Sequence, residues 1–564
     1  MEKIIDCFFI GHNQEPFEEY ERTLRKMGVH SGAYRDLQKN FIQYNNQPLS
    51  AADAFNMLCC SHPSSESSIK PIKPVETFNA AIAYLGTFLD RRGFTFDYVN
   101  SFQDEKEQLI KKLEKYNILT IAIITTLYVT PFPVLEIIDF IRKYNNRTKI
   151  IVGGPLVSTV FSNRSSEESN DWLKSVGADF YVNSSQGEAA LIKIIEALKR
   201  SLPFDQIDNI HYKSEDGKGD TYAGTAISRE ENNLSENMVN WDLFTDRAGE
   251  YVNIRTGISC PFSCSFCGFP QHGGQYQTAD VEAVEKELNR LAKIKTVKVV
   301  NFIDSSFNVP VNRFKDILRM MIKKNYGFQW HSYFRCQYAD REMVGLMKES
   351  GCEGVFLGLE SGSNRILKNM NKNVTREEYL KGIALLKEYG IVTLGNFIVG
   401  FPGETDESLQ ETVHLVKQSG IDFYRAQLWY CEPITPIWQE KKKYDLKGES
   451  FEWSHRTMDS LRASDLIDEL IFSIEEPIRL PQYYFDYENV FQLTARYISL
   501  EQVKAFLKSF NNGIKEKLLD PSLKETSYDI IKQINGCCHA ADYSVDPVDA
   551  KINVLDKYNL EFDF

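Results

Sequence analysis

Three cysteines lie within one short loop, at a spacing that suits metal chemistry. Cys260, Cys264 and Cys267 follow the pattern C-x3-C-x2-C, with Gly257 before them and Pro270 after them. Three thiolates in such a pattern can hold a [4Fe–4S] cluster whose fourth iron has no protein ligand. Because that iron is free to bind a small molecule, the loop favours catalysis over simple electron storage.

A zinc site is the competing interpretation of the same loop. Structural zinc usually has four protein ligands, and His272 follows Cys267 by five residues, so a Cys3His site is possible on ligand count alone. The strand predicted immediately before the loop, Tyr251 to Arg255, and the strand–helix units predicted after it do not fit a zinc ribbon. The sequence therefore favours the iron–sulfur cluster.

The cysteines outside this loop offer no second convergent set. They are scattered along the chain or directly adjacent, as in Cys59–Cys60 and Cys537–Cys538, and adjacent cysteines rarely hold one metal together. In a cytosolic protein such thiols stay reduced, and burial as small hydrophobic residues is the simpler prediction for them. The sequence predicts one cluster and no disulfide framework.

Length and charge limit the classes of protein to which the chain can belong. With 564 residues and a hydrophobic fraction of 43%, it is long enough for two large domains and a smaller tail. A net charge of −13 does not favour a nucleic-acid surface. The first residues lack the apolar core of a signal peptide, and no apolar run reaches the length of a membrane span. We expect a cytoplasmic protein with no membrane partner.

The first 200 residues alternate strand-like and helix-like segments, which predicts an α/β domain with a parallel sheet. A short apolar run spans Ile4 to Ile10, and a β-branched run spans Leu119 to Leu127, as a strand buried on both faces requires. Residues 14–75 are polar and irregular, and we expect an insertion or a cap over the edge of the sheet. Residues 201–248 carry little pattern and are predicted to be a linker.

A second domain is predicted over residues 249–430. Its strand and helix patterns form six repeating units, which are too few for a closed eight-unit barrel, so we expect an open partial (β/α)6 barrel. The composition changes over residues 431–564. This last segment is predicted to form a mostly helical C-terminal domain on the substrate side of the barrel.

The cysteine loop resembles the cluster motif of radical S-adenosylmethionine (SAM) enzymes, C-x3-C-x-aromatic-C, with Phe266 as the aromatic residue. The resemblance implies a [4Fe–4S] cluster held by the three cysteines, with SAM bound at the fourth iron. A reduced cluster would then cleave SAM to a 5′-deoxyadenosyl radical. The ends of successive predicted strands converge on this site, and the residues expected to contact SAM are Phe266, Asp304, Ser305, Arg335, Glu360, Ser361, Ile398 and Gly400.

The order of elements upstream resembles a flavodoxin-like cobalamin-binding domain, in which ligands bind at the carboxyl ends of strands. The element that carries the cobalt-ligating histidine, Asp-x-His-x-x-Gly, is absent, because Ile10 and Glu15 stand in the places of its Asp and Gly. We therefore expect His12 to be an ordinary loop histidine rather than a cobalt ligand. The residues expected around cobalamin are Gly11, His12, Asn13, Thr125, Thr126, Thr130, Gly153 and Gly154.

Three segments together resemble the phosphinate P-methyltransferase branch of natural-product pathways: Asp6 to Asn13, the cysteine loop, and Trp453 to Asp459. The resemblance implies transfer of a methyl group from SAM, through methylcobalamin, to an unactivated carbon or a phosphinate phosphorus. The acceptor would be a small-molecule or carrier-bound precursor, and a flavodoxin or ferredoxin would donate electrons. No residue is assigned as a catalytic acid or base.

Other functions stay open at this point. A cobalamin-binding radical enzyme could perform a cyclisation or a rearrangement without methyl transfer. A methylthiotransferase acting on tRNA would need a second three-cysteine set in the first domain and a basic tail, and the sequence shows neither. An iron–sulfur or cobalamin sensor is the alternative outside enzymes, and the polar residues at the strand ends count against it.

Overall fold

Two mainly parallel sheets and a helical C-terminal region make up the fold. The computed structural model describes residues 3–60, 69–73, 76–126, 128–214 and 221–537. Leu127, the end of a predicted strand, and Cys538, one half of an adjacent cysteine pair, lie outside the described residues. The predicted ranges 14–75, 201–248 and 431–564 are each described in part.

The N-terminal region contains the first sheet and the helices that flank it. In chain order its elements are β1 (Ile4–His12), α1 (Phe17–Met27), α2 (Gly32–Gln38), β2 (Phe41–Tyr44), β3 (Gln47–Ser50), α3 (Ala51–Cys59), α4 (Ala80–Asp90), β4 (Phe96–Ser101), α5 (Lys106–Lys115), β5 (Asn117–Ile124), α6 (Phe132–Tyr144), β6 (Lys149–Gly153), α7 (Pro155–Asn163), α8 (Ser166–Val176), β7 (Phe180–Val182), α9 (Glu188–Arg200), β8 (Ile210–Lys213) and β9 (Tyr222–Gly224).

The first sheet has the strand order β4-β1-β5-β6-β7-β8-β9. Strands β4, β1, β5, β6 and β7 pair in parallel. Counted along the chain, these parallel strands stand in the order 2-1-3-4-5, which is the flavodoxin-like arrangement. β5 is rich in isoleucine because helices cover both faces of a central parallel strand. The prediction of a flavodoxin-like domain is confirmed.

The second region forms the barrel. In chain order its elements are β10 (Tyr251–Ile254), β11 (Gly257–Ile258), α10 (Phe269–Gly273), β12 (Gln277–Thr278), α11 (Val281–Leu291), β13 (Val299–Phe302), α12 (Val311–Lys324), β14 (Gln329–Phe334), α13 (Arg341–Glu349), β15 (Cys352–Glu360), α14 (Asn364–Asn369), α15 (Arg376–Glu388), β16 (Val392–Val399), α16 (Asp406–Ser419) and β17 (Phe423–Leu428).

The C-terminal region begins with a short helix and three short strands and continues mainly as helices. Its elements are α17 (Lys441–Tyr444), β18 (Lys447–Glu449), β19 (Glu452–His455), β20 (Met458–Asp459), α18 (Ser460–Ser473), β21 (Ile478–Arg479), α19 (Tyr487–Ala495), α20 (Leu500–Leu519) and α21 (Tyr528–Gly536). The barrel sheet has the order β10-β13-β14-β15-β16-β17-β21. The predicted open barrel of six strand–helix units is confirmed, and β21 adds a two-residue strand that pairs with β17.

Two segments differ from what the sequence predicts. The expected linker, residues 201–248, contains β8 and β9, which extend the first sheet by antiparallel pairing. The expected irregular insertion, residues 14–75, contains α1 to α3 and the β2–β3 hairpin, and it packs on the C-terminal helices. Phe55 meets Phe506 edge to face, with ring centroids 5.3 Å apart. The apolar residues of this segment face the other end of the chain, which a local pattern does not show.

Among the helices of the described ranges, none combines the length and the apolar character that a membrane span requires.

Candidate active site

The cysteine loop, residues 259–268, lies at the carboxyl ends of the barrel strands. β11 and β12 pair antiparallel on either side of it and bring the ends of the segment together. Inside the loop the Ser265 N–H donates to the Met370 carbonyl at 2.8 Å, and the Ser265 carbonyl accepts from the Ile437 N–H at 2.9 Å. The barrel and the C-terminal region therefore both hold the loop in place.

Asp304 fixes the start of the loop. Its carboxylate accepts hydrogen bonds from the Thr256 N–H at 2.7 Å, from the Gly257 N–H at 2.9 Å and from the Thr256 hydroxyl. Burial raises the pKa of this carboxyl. The sequence predicts a SAM contact for Asp304, but the structure directs its oxygens to the backbone that leads into the loop. Its role is to position the cysteines.

The three cysteines line a cavity of about 160 Å³, the cysteine cavity. Burial raises the pKa of the Cys267 thiol to about 11. A thiol with so high a pKa gives up its proton when a metal cation replaces it. The predicted SAM residues that line this cavity with the cysteines are Phe266, Ser305, Arg335 and Glu360.

Arg335 carries a hydrogen-bond donor that the described residues leave without a partner. Its Nη2 donates to Cys264 Sγ at 3.4 Å, and its guanidinium carbon lies 3.5 Å from the centre of the Phe262 ring. Its Nη1 is buried with no acceptor. An unpartnered cationic donor beside three thiols fits a negatively charged group in the cavity, such as a thiolate-bound cluster or the carboxylate of SAM.

The zinc alternative does not fit this arrangement. A Cys3His zinc site would need His272 as its fourth ligand. His272 belongs to a different contact. Its Nδ1 lies 2.9 Å from Ser158 Oγ, and its Nε2 lies 3.6 Å from Glu432 Oε1.

Glu360 ends β15 and is paired with a cation that the sequence analysis missed. Its carboxylate lies 2.9 Å from Lys372 Nζ, and the two side chains are only 7% and 6% exposed. Lys372 Nζ also lies 5.5 Å from the centre of the Phe266 ring. The sequence could suggest only that a buried carboxylate such as that of Glu360 needs a cation. No motif in the sequence shows which lysine supplies that cation.

The remaining predicted SAM residues, Ser361, Ile398 and Gly400, do not line the cysteine cavity. Ser361 Oγ lies 3.3 Å from the Thr412 hydroxyl and shapes the turn after β15. Ile398 is half-buried near the end of β16. Gly400 has a φ of +94°, and a Cβ there would lie 2.4 Å from the Trp453 ring. The contacts of Ser361 and Gly400 are with residues outside the cavity lining.

Two groups that the sequence analysis left without a role hold Gly400 in place. Its N–H donates to the Glu404 carboxyl at 2.5 Å, and its carbonyl lies 3.0 Å from His455 Nε2. Burial raises the pKa of Glu404 to about 8. The Trp453 ring stacks on His455 with centroids 5.3 Å apart. The segment Trp453 to Asp459 therefore packs against the strand end that carries Gly400.

A second cavity, of about 590 Å³, lies between the carboxyl ends of the first sheet and the cysteine loop. We call it the sheet-edge cavity. Its walls are mostly apolar, and the predicted cobalamin residues Thr126, Gly153 and Gly154 line it. Gly154 has a φ of +118°, and a Cβ there would lie 2.7 Å from Thr125 Oγ1. This turn therefore requires glycine.

The loop from Ser184 to Gly187 also lines the sheet-edge cavity, and the sequence analysis missed it. A signal was available. The segment Ser184-Ser185-Gln186-Gly187 is a polar turn after β7, at the carboxyl end of a parallel strand, where such sheets bind ligands.

Several predicted cobalamin residues do not line the sheet-edge cavity. Asn13 Nδ2 donates to the Pro133 carbonyl and to Glu136, each at 3.0 Å, so it serves the start of α6. His12 Nε2 lies 3.4 Å from Asn79 Nδ2, and burial lowers the pKa of His12 to about 4. The residues that the structure places outside the lining are Gly11, His12, Asn13, Thr125 and Thr130.

The two cavities share part of their walls. Ser305 and Phe269 line both of them. The site that the structure brings together is therefore a thiol-lined cavity at the barrel end, beside a larger apolar cavity at the edge of the first sheet.

Comparisons with known proteins agree with this arrangement. Residues 254–416 match the radical SAM superfamily. The chain is 24% identical to an uncharacterized methyltransferase of Pyrococcus horikoshii over 386 residues, which cover 67% of this chain and 81% of that protein. It is 23% identical to the anaerobic magnesium-protoporphyrin IX monomethyl ester cyclase of Rubrivivax gelatinosus over 461 residues, which cover 78% of this chain and 80% of that protein.

A solved structure extends the comparison to nearly the whole chain. The radical S-adenosylmethionine methyltransferase TsrM from Kitasatospora setae, with cobalamin and a [4Fe–4S] cluster bound, matches 95% of this chain and 99% of its own, with a TM-score of 0.61 and 15% identity. At that identity the likeness establishes the fold. The chain therefore carries the radical SAM domain of an enzyme at residues 254–416, and its overall fold is similar to that of the TsrM methyltransferase.

Proposed function

We propose that this enzyme is a cobalamin-dependent radical SAM methyltransferase acting on a small-molecule or carrier-bound natural-product precursor. One observation carries the proposal. The cysteine cavity and the sheet-edge cavity lie side by side, with Ser305 and Phe269 in the walls of both. Groups bound in the two cavities would stand within reach of one acceptor, and such proximity is what a transfer between bound groups requires.

The residues of both cavities fit the cofactors that this function needs. Cys260, Cys264 and Cys267 would hold a [4Fe–4S] cluster, and the unpartnered Nη1 of Arg335 would pair with the carboxylate of SAM. The sheet-edge cavity has an apolar wall and a glycine turn at Gly154, which suit the broad face of a corrin. When bound, the cluster with SAM supplies a radical, and cobalamin supplies a methyl carrier.

The chain's own residues position these groups and exclude water. The aromatic residues Phe262, Phe266, Phe269 and Phe356 line the cysteine cavity and keep its interior apolar. His272, the histidine among the residues lining the sheet-edge cavity, is engaged with Ser158. We therefore propose that His272 would not be a ligand of the cobalt in bound cobalamin.

The proposed methyl acceptor is an unactivated carbon or a phosphinate phosphorus. A small flavodoxin or ferredoxin is the proposed electron donor, since the cluster must be reduced before it can act. Cys260, Cys264 and Cys267 are free thiols, which suits a reducing compartment, and we propose that the enzyme works in the cytoplasm.

Loading of cobalamin tests the proposal without knowledge of the acceptor. The protein is purified without oxygen, reconstituted with iron, sulfide and cobalamin, reduced, and given SAM with a deuterated methyl group. We expect mass spectrometry to find the label in the protein's cobalamin. Gly93→Ala changes a residue that lines neither cavity and has no other atom within 4 Å of the added Cβ, and this control variant should label equally.

A different result would favour the alternative activity. If the protein retained cobalamin but left it unlabelled, methyl transfer would be contradicted. Radical chemistry without methyl transfer, such as a ring closure, would then be the better proposal, because one relative of similar length is named as a cyclase.

A further inference from the structure

The inside of the barrel below the cysteine cavity contains open space. Successive side chains of a strand point to opposite faces. On β14, Trp330 packs toward Phe314 of α12, with ring centroids 6.3 Å apart, so Tyr333 points to the inside. Tyr333 is 40% exposed although β13 and β15 flank its strand. We call the space that it faces the barrel chamber.

The first turn of α19 forms the floor of the barrel chamber. Asp486, the N-cap of α19, accepts a hydrogen bond from Arg425 Nη2 on β17 at 2.9 Å. Glu488 accepts one from Asn301 Nδ2 on β13 at 2.9 Å. These bonds place the turn across the barrel from β13 to β17. The Asp486 side chain is 62% exposed, so it faces the open space and not packed protein.

The barrel chamber is continuous with the cysteine cavity. Tyr333 and Phe356 line the cysteine cavity, and their ring centroids lie 4.9 Å apart. Tyr487 of α19 packs on Phe356 with centroids 6.0 Å apart. An aromatic wall therefore leads from the floor of the chamber to the thiols.

Polar atoms in this part of the barrel lack partners. Arg425 and Asn396 are both more than nine-tenths buried, yet Arg425 Nε and Asn396 Oδ1 have no hydrogen bond. The Tyr333 hydroxyl makes no hydrogen bond to the described residues. Buried polar groups in folded proteins are normally paired, so these atoms indicate a polar ligand in the chamber.

The charges on the floor indicate the sign of that ligand. Arg425 balances the carboxylate of Asp486. Glu488 has the amide of Asn301 as its partner, and no cation of the described residues forms an ion pair with it. Burial, together with Asp486, raises the pKa of Glu488 to about 8. A cationic ligand would favour the ionised form of Glu488 and pair with it, and the aromatic wall also attracts cations, whereas an anion would meet two carboxyl groups.

We infer that the barrel chamber binds the methyl acceptor by a basic nitrogen, such as a primary amine, held by Glu488 and Asp486 beneath the aromatic wall of Tyr333 and Phe356. The inference rests on the proposed function, because it takes the chamber to be the acceptor site. Of the acceptor classes proposed above, it selects an amine-bearing molecule methylated at carbon. An anionic phosphinate is disfavoured by like charge on the floor.

Ligand selectivity of the unaltered enzyme tests the inference. The probes are 2-phenylethylamine, 2-phenylethanol and phenylphosphinate, which share an aromatic ring and differ in their charge. Binding to the full chain, loaded with cluster and SAM, is measured by calorimetry without oxygen. We expect the amine to bind about tenfold more tightly than the other two probes. Equal binding of the three, or tighter binding of phenylphosphinate, would overturn the inference.

A substitution on the floor gives a second test. Glu488→Gln keeps an acceptor for Asn301 but cannot ionise beside a bound amine, so amine binding should weaken about tenfold while 2-phenylethanol binding stays the same. Glu501→Gln is the matched control, since that side chain is 82% exposed at the start of α20, and amine binding should not change. Unaltered amine binding by Glu488→Gln would also overturn the inference. Iron content checks that the variant is folded, and if it is not, the probe comparison decides alone.

Labelling of cobalamin from SAM is measured in the same preparations, which separates the two claims. Labelled cobalamin without a preference for the amine would refute the inference about the chamber and leave the proposed function standing. Unlabelled cobalamin would refute the proposed function, and with it the assignment of the chamber to a methyl acceptor.

Discussion

At the scale of single residues, the site depends on buried charges whose partners come from distant positions. The cysteines could be predicted because their spacing is itself the motif, and Arg335 and Glu360 because they end strands. Lys372 and Glu404 received no role from the sequence, since each acts through a contact that only the folded barrel creates. Burial makes these contacts energetically important, because an unpaired buried charge is costly.

The Glu360–Lys372 pair leads to a prediction about stability. Lys372→Met should destabilise the fold by about 3 kcal/mol, because it leaves a buried carboxylate without its cation. The double variant Lys372→Met with Glu360→Gln should recover most of that loss, since neither charge remains. Urea unfolding of the wild type, both single variants and the double variant measures the coupling. Additive effects of the two substitutions would show that the pair is not coupled.

Glu404 leads to a prediction about pH. Its pKa in the fold is about 8, against an ordinary value of 4.5, so between these two pH values the folded state holds a proton that the unfolded state releases. Its contribution to stability is complete below the unfolded pKa and is lost as the pH rises through the folded pKa, by about 1.4 kcal/mol for each pH unit between the two. Glu404→Gln has no such proton to lose.

The free energy of unfolding of Glu404→Gln should therefore fall less between about pH 6 and about pH 8 than that of the wild type. Denaturant unfolding at both pH values gives the difference. Other buried acids, such as Glu287 and Glu488, titrate in both proteins and cancel in the comparison. Parallel loss of stability in the two proteins would contradict the raised pKa of Glu404.

At the scale of elements, the ends of the predicted strands identified the lining of the cysteine cavity better than the lining of the sheet-edge cavity. In the barrel, the residues after β13 and β14 and at the end of β15 deliver Ser305, Arg335 and Glu360 to one cavity. In the first sheet, His12 follows the same rule but does not line the cavity. The side chain of His12 lies beside Asn79, the N-cap residue of α4. Ala80, the first residue of that helix, lines the sheet-edge cavity where His12 was expected. The sequence shows where a strand ends, but not which helix covers that end.

The glycine turn after β6 gives a prediction for cobalamin. Gly154→Ala places a Cβ 2.7 Å from Thr125 Oγ1 at a φ of +118°, so the turn must move into the sheet-edge cavity. The amount of cobalamin bound per chain should fall about tenfold, because the free energy of such backbone strain corresponds to about a tenfold loss of affinity. The amount of iron per chain should stay the same. Gly93→Ala shares the positive φ without the close contact, and an equal loss of cobalamin in that control would contradict the steric explanation.

At the scale of the whole molecule, the two ends of the chain share one hydrophobic core. Residues 42–58 pack with Phe506, Phe510 and other residues of the C-terminal helices. The order of domains could be predicted from the chain, because alternating strands and helices carry a local signal. The packing of residues 42–58 on the C-terminal helices could not be predicted, because the periodicity of a segment shows that one face is apolar but not which other segment covers that face.

This shared core gives a prediction for folding. Phe506 is fully buried and meets Phe55, so Phe506→Ala should lower the free energy of unfolding by about 3–5 kcal/mol. Leu519→Ala, on the same helix at a residue that is 74% exposed, should change it by less than about 0.5 kcal/mol. Thermal or denaturant unfolding compares the two variants, and equal effects would contradict a core shared by the two ends.

The central claim is that the cysteine cavity holds a cluster that cleaves SAM. The most direct measurement is the yield of 5′-deoxyadenosine from the anaerobically reconstituted enzyme with SAM and a strong reductant, compared between the wild type and Cys264→Ala. We predict that the wild type forms 5′-deoxyadenosine, and that the variant, short of cluster iron, forms none above background. Equal yields from both proteins, or intact SAM with an iron-loaded wild type, would contradict the claim.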